Sequence, residues 1–195
     1  MKAMRSHTIS SPSVKESLSP VGRPNACNLC HLDKTLLWTA EKLHQQYGQP
    51  LPQLNEEQRD TATGLLWGLQ GDAAQRALIA WNMGWLPARE TSGTDWMVPL
   101  LAQLLVDPYD AVRSRAALTL RTILGDDDPD YDFLAPEADR EAARADLLRD
   151  WKSQVMLRKG DAIPELLLKP NGQLDQERFD RLLRWRDNRE VFLSE

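Results

Sequence analysis

Cys27, Cys30 and His31 bring two thiols and an imidazole together within five positions of this chain. They comprise both of its cysteines and one of its three histidines. With no further thiol a disulfide framework is excluded, and the pair stands as a C-x-x-C unit whose meaning turns on the next residue. Two thiols at this spacing can add across the two vinyl groups of one haem and leave the adjacent imidazole directed at the iron. Cys27-Asn28-Leu29-Cys30-His31 is thus the c-type haem attachment pattern. Two other chemistries use the same cysteine spacing. A dithiol redox pair follows a strand and opens a helix in a βαβ unit, whereas this chain shows almost no strand pattern. A zinc site needs two further ligands, which His7, His31 and His44 can supply, although Cys-x2-Cys-His does not match the usual spacing of a second pair.

Little else in the sequence offers catalysis. There is no Gly-rich phosphate loop, no Ser-His-Asp arrangement and no convincing carboxylate pair. The acidic run Asp126 to Asp128 with Asp130 and Asp132 superficially resembles a calcium loop but lacks its sixth-position Gly and twelfth-position Glu, so a solvated turn is expected. A net charge of −5 and the absence of a basic stripe argue against a nucleic-acid partner. No run of about 18 apolar residues exists, so no membrane span is expected. The first 30 residues also lack the charged, apolar and small-residue regions of a secretory signal.

The motif must be positioned by helices. Residues 1–32 have no apolar period and contain Pro12, Pro20 and Pro24, which predicts extended and turn structure needing a surface to pack on. Leu36, Leu37, Ala40, Leu43 and Tyr47 then fall at helical spacing, ended by Gly48 and Pro50. After a second punctuated linker, Asn55 is placed to cap a helix over 56–70, with Glu56 and Glu57 at its positive end. Further helices are expected from Pro136 through Trp151, as a third helical layer, and over Gln176 to Asp187.

Two stretches inside the helical region look related, GDAAQRALIAWNMGW at 71–85 and DPYDAVRSRAALTLRTIL at 107–124. Setting Arg76 on Arg113 gives a period of about 37 residues, places Ala80 on Ala117 and Met83 on Leu120, and leaves an apolar helix before each stretch. The second stretch resembles the HEAT-repeat pattern of Asp-Pro in a turn, then Val-Arg, then small Ala residues. That resemblance implies a helical solenoid in which neither unit buries its apolar face alone. The expected fold class is therefore all-α, an extended haem-binding arm and helix over 1–54 joined to a HEAT-like helical repeat domain over 55–195.

A second resemblance covers roughly residues 4–48 and is strongest in GRPNACNLCHLDKTLLWTA. This stretch resembles the haem-binding segments of bacterial multihaem c-type cytochromes with doubled CXXCH motifs. Asn25-Ala26 stands before the first Cys, Asp33-Lys34 after the His, and Trp38 and Ala40 shortly after. The resemblance implies one covalent haem c, with Cys27 and Cys30 as attachment points, His31 as proximal iron ligand, and a distal histidine from the Ser-His unit upstream, here Ser6-His7. It also implies electron transfer, a redox partner protein or upstream haem domains, and a periplasmic or otherwise extracytoplasmic site. The chain departs from the pattern in carrying one CXXCH where its relatives carry several, and with no signal sequence it is expected to be the C-terminal part of a longer protein. Alternative sixth ligands are His44, Met4 and Met83, of which His44 reads as an exposed helical residue and Met83 as core. Of the seven tryptophans, Trp38 is placed to line the haem edge and the other six read as packing anchors on apolar helix faces, Trp67 and Trp81 also offering bulky surfaces for the haem's wall. The rival reading is a HEAT-repeat scaffold whose CxxCH arm holds zinc or nothing.

Overall fold

The computed structural model describes residues 11–18, 22–125, 131–155 and 163–189. These are mostly helical, with no strand among them and only isolated β-bridges at Leu168. In chain order the helices are α1 (Val14–Ser17), α2 (Ala26–Cys30), α3 (Leu36–Tyr47), α4 (Glu56–Asp60), α5 (Thr63–Gln70), α6 (Ala73–Gly84), α7 (Leu86–Ser92), α8 (Met97–Leu104), α9 (Asp110–Leu124), α10 (Glu137–Val155) and α11 (Gln176–Arg184). No helix among the described residues is long and apolar enough to cross a membrane.

Local chemistry accounts for most boundaries. Thr35 caps α3 by accepting from the Trp38 amide, and Gly48 ends it at φ 65°, a left-handed position that glycine adopts without a Cβ penalty. Asn55 with Gln58, and Asp72 with Gln75, form reciprocal capping boxes at α4 and α6. The single helix expected over 56–70 is broken. Thr61 is extended, Thr61 and Ala62 are buried, and the Ala62 amide donates to Glu165 O at 2.9 Å instead of continuing the helix. The expected extended arm is also partly helical, because Asn25 accepts from the Cys27 amide at 2.9 Å and nucleates one turn across the motif.

The core of the helical region comes from two helix pairs. α5 packs on α6 and α8 on α9, and the pairs meet most extensively where α6 lies against α9. Ile79 and Met83 of α6 are fully buried with Ala116 and Leu120 of α9. Two glycines set the approach of α5. A Cβ at Gly68 would lie 2.7 Å from Leu100 Cδ2 of α8, and one at Gly64 would lie 2.7 Å from the Trp96 ring and 3.0 Å from Leu32 O. α10 packs on α8, with Leu147 and Trp151 buried, while α11 packs on α5 through Phe179 and Leu182. Three tryptophans do not serve as packing anchors, since Trp81, Trp85 and Trp185 are exposed, Trp81 lying beneath the Arg115 guanidinium.

A buried ion pair joins the helix pairs. Arg76 of α6 meets Asp107 in a two-pronged contact, Nε to Oδ2 at 2.7 Å and Nη2 to Oδ1 at 3.1 Å, with both side chains inaccessible to solvent. Its Nη1 donates to Gly71 O at 2.6 Å and to Asp187 O at 2.9 Å. Arg113 repeats the local part of this arrangement, donating through Nη1 to Asp107 O at 2.8 Å and to Pro108 O at 3.0 Å, the latter carbonyl standing five residues before it as Gly71 stands before Arg76. Removing one partner leaves the other charge buried and uncompensated. Arg76→Met is therefore expected to lower unfolding stability by about 3–5 kcal/mol in urea titration, and Arg76→Met with Asp107→Leu to recover a substantial part of the loss. A double variant no more stable than the single one would show that the pair is not the source of the cost.

Candidate haem site

The motif is built from the backbone outward. Within α2, the His31 amide donates to Cys27 O at 2.9 Å, closing the turn that places Cys27, Cys30 and His31 beside one another. Asn28 points inward and is fully buried. Its Oδ1 accepts from Thr39 Oγ1 of α3 at 2.8 Å. The residues between the cysteines therefore fasten the motif to the following helix, while the two thiols, half-buried and unpaired in a disulfide, stay open to the cleft.

Hydrogen bonds from α5 and α7 bind this unit to the helical region. Ser92 at the end of α7 donates to Cys30 O at 2.8 Å and accepts from the Leu32 amide at 3.0 Å. Gly64 N donates to Leu32 O and Thr63 N to Lys34 O, both at 2.9 Å. These are first-turn amides of α5, which has no side-chain cap, so the loop after the motif satisfies groups that would otherwise be orphaned. Leu32, the residue after His31, is fully buried among them.

Cys27, Cys30, His31 and Trp38 share one cleft of about 820 Å3, within the ~300–1,000 Å3 typical of cofactor pockets. The His31 and Trp38 rings stand 4.9 Å apart at 46°. From α3 the cleft is lined by Thr39, Lys42, Leu43 and Gln46, and from the N-terminal segment by Ser11 and Pro12. Gln49 holds that segment in place by donating to Pro12 O at 2.9 Å. Neither ring nitrogen of His31 is engaged in a hydrogen bond among the described residues. Paired thiols, a free imidazole and an aromatic edge on one apolar-walled cleft fit the donor set that a covalently held haem requires.

Other candidate residues are placed elsewhere. His44 is exposed and its Nδ1 contacts Gln49 O at 2.8 Å, outside the cleft lining. Met83 is fully buried in the core. Trp67 and Trp81 do not line the cleft, whose wall is supplied by α2 and α3 themselves. His7 and Met4 lie outside the described residues, as do Asp126 to Asp128 and Asp130. Asp132 makes a local turn by accepting from the Leu134 amide. Among the described residues no three His, Cys, Asp or Glu side chains gather at metal-binding distance, so a zinc site would have to draw ligands from beyond them. Lys42 and the Ser92 clasp were not singled out by sequence reasoning. Lys42 was legible as Trp38 plus four on one helix face; the clasp, 60 or so residues from the motif, left no signal.

No protein-family model, no curated protein and no solved structure matches this chain. Its own residues carry the functional reading.

Burial raises the Cys27 thiol above its ordinary pKa; the hydrogen bond at its own amide opposes this and the neighbouring Cys30 adds to it. A raised pKa means less thiolate at neutral pH, opposite to the activated cysteine of a dithiol oxidoreductase. In haem-free protein carrying Cys30→Ala, alkylation of Cys27 by iodoacetamide at pH 7 is expected to be slower than that of a free thiol, with its midpoint displaced to higher pH than the free thiol's. Faster alkylation than a free thiol would instead mark an activated nucleophile.

Proposed function

We propose that the chain is a c-type cytochrome module that carries one covalent haem for electron transfer. The observation that supports it best is the convergence of Cys27, Cys30, His31 and Trp38 on one cleft of about 820 Å3. In this reading Cys27 and Cys30 hold the porphyrin through thioethers, His31 ligates the iron, and Trp38 packs beside that imidazole. A haem bound there supplies a one-electron couple. The polypeptide holds its edge, limits water through α2 and α3, and anchors the backbone beside His31 through the contacts of Leu32 with Ser92 and Gly64.

His7 is proposed as the distal ligand. Ser11 and Pro12 line the cleft, and four residues of chain reach at most ~14 Å, so His7 is tethered within range of a group in it. The paired helices α5–α6 and α8–α9, with Arg76 and Arg113 in matching roles, support HEAT-like repeats that dock the haem arm and receive a redox partner protein or upstream haem domains. Because covalent haem c is attached on the oxidising side of bacterial membranes, the proposed location is periplasmic or otherwise extracytoplasmic.

Expressed with a secretion signal and the cytochrome c maturation machinery, the chain is expected to gain the mass of one haem, and a Soret band surviving acid-acetone extraction, both lost in Cys27→Ala with Cys30→Ala. Unchanged mass in the unsubstituted chain, with stoichiometric zinc, would support the scaffold reading instead. In the loaded protein His7→Ala is expected to convert a low-spin spectrum to high-spin or admit carbon monoxide to the ferrous iron. A spectrum indifferent to His7→Ala but altered by His44→Ala would reassign the ligand.

A further inference from the structure

The cleft has a charge asymmetry. Apart from the titratable His31, Lys42 is the only ionic side chain among its described lining residues. It stands one helical turn beyond Trp38 and one before Gln46, so α3 presents an aromatic end beside His31 and a polar end further along the same face. Glu41, the sole acidic residue of α3, is one position away, about 100° around the helix, and does not line the cleft. Lys42 makes no salt bridge among the described residues. In a chain of net charge −5 a cation without a salt bridge among the described residues, facing a cleft walled largely by uncharged groups, will draw an anion.

Haem presents two propionate carboxylates along the edge of the macrocycle away from its vinyl groups. We propose that Lys42 receives one of them, with the Gln46 amide beside it, so that the cleft orients the porphyrin with its thioether edge at Cys27 and Cys30 and an anionic edge at the polar end of α3. This assignment rests on the haem reading of the cleft. Lys42 is a positioning residue that sets the orientation and charge environment of the group held by the motif.

The test uses the full chain with Cys27→Ala and Cys30→Ala, which makes binding reversible, titrated with ferric haem and with its dimethyl ester, whose carboxylates are neutral. Ferric haem is expected to bind roughly two- to fivefold more tightly than the ester, the scale of an exposed charge pair. Lys42→Ala should erase the preference, Lys42→Arg keep it and Lys42→Glu invert it. Because Lys42 is exposed, these substitutions leave the core intact. Equal affinity for both probes, or a preference that survives Lys42→Ala, would overturn the assignment. The covalently loaded protein gives a second reading. A carboxylate beside Lys42 ionises at lower pH than one without it, so Lys42→Ala should move the pH-dependent step of the reduction potential upward, and an unmoved step would overturn the contact. Failure of the unsubstituted chain to gain haem is a separate result, which removes the site itself, whereas covalent attachment without a Lys42 effect removes only this assignment.

Discussion

The buried pair of Arg76 and Asp107 is the constraint on which the helical architecture depends. Two full charges lie out of water, and the cost is offset only because nearly every polar atom is engaged. Arg76 spends its donors on Asp107, Gly71 O and Asp187 O. Asp107 also accepts from the Tyr109 amide at 3.0 Å, with Arg186 at 3.9 Å from its second oxygen. Burial lowers the pKa of Arg186 and Asp107 raises it in opposition. One guanidinium thereby ties the turn between α5 and α6, the turn between α8 and α9, and the segment after α11. A buried pair of this kind is weak evidence for net stability and stronger evidence for specificity, because displaced elements would leave uncompensated charge.

The position of α5 follows from that tie, and the cleft follows from α5. Gly64 and Gly68 lie one turn apart on one face of this helix and let that face approach the Leu32 backbone and the Trp96 ring at one turn and Leu100 of α8 at the next. The helix begins without a side-chain cap, and its first amides are satisfied by carbonyls of Leu32 and Lys34. The loop that closes the CxxCH motif is therefore a structural part of α5, as α5 is a support for the motif. Ser92 completes the arrangement by bonding on both sides of His31, to Cys30 O and to Leu32 N. The proposed proximal ligand is flanked by two backbone positions pinned to the same hydroxyl, which fixes where its backbone stands beside the cleft.

The proposed site is accordingly pre-organised on one side and open on the other. α2 and α3 form its wall through the Asn28–Thr39 bond, and the exposed residues of α3, Lys42, Gln46 and Tyr47, form its rim. In the proposed function the open rim leaves the held group within reach of a partner, while the walled side carries the half-buried Cys27 and Cys30.

Much of this was legible in the sequence because it rests on local rules. The 3.6-residue period of Leu36, Ala40 and Leu43 predicted α3, Asn55 the cap of α4, and the alignment of Arg76 with Arg113 the matched inward positions Met83 and Leu120. Each depends on residues within a turn or two of one another, or on the recurrence of such a pattern. The CxxCH pentad suggested the chemistry proposed for it for the same reason, since its spacing is a property of the chain alone. The remainder involves distant residues that meet through packing. The 56–70 helix breaks at Thr61 and Ala62 because the Ala62 amide finds Glu165 O, more than 100 residues away. Trp81, Trp85 and Trp185 are exposed because the inward face of α6 is filled by Arg76, Ile79, Ala80 and Met83, and that of α11 by Phe179 and Leu182. Asn25 and Asn28 gave no period to read, yet one starts the turn that displays the cysteines and the other locks it to α3. A polar residue's role depends on which partner the fold brings to it, and that choice is made by the core and not by its neighbours in sequence.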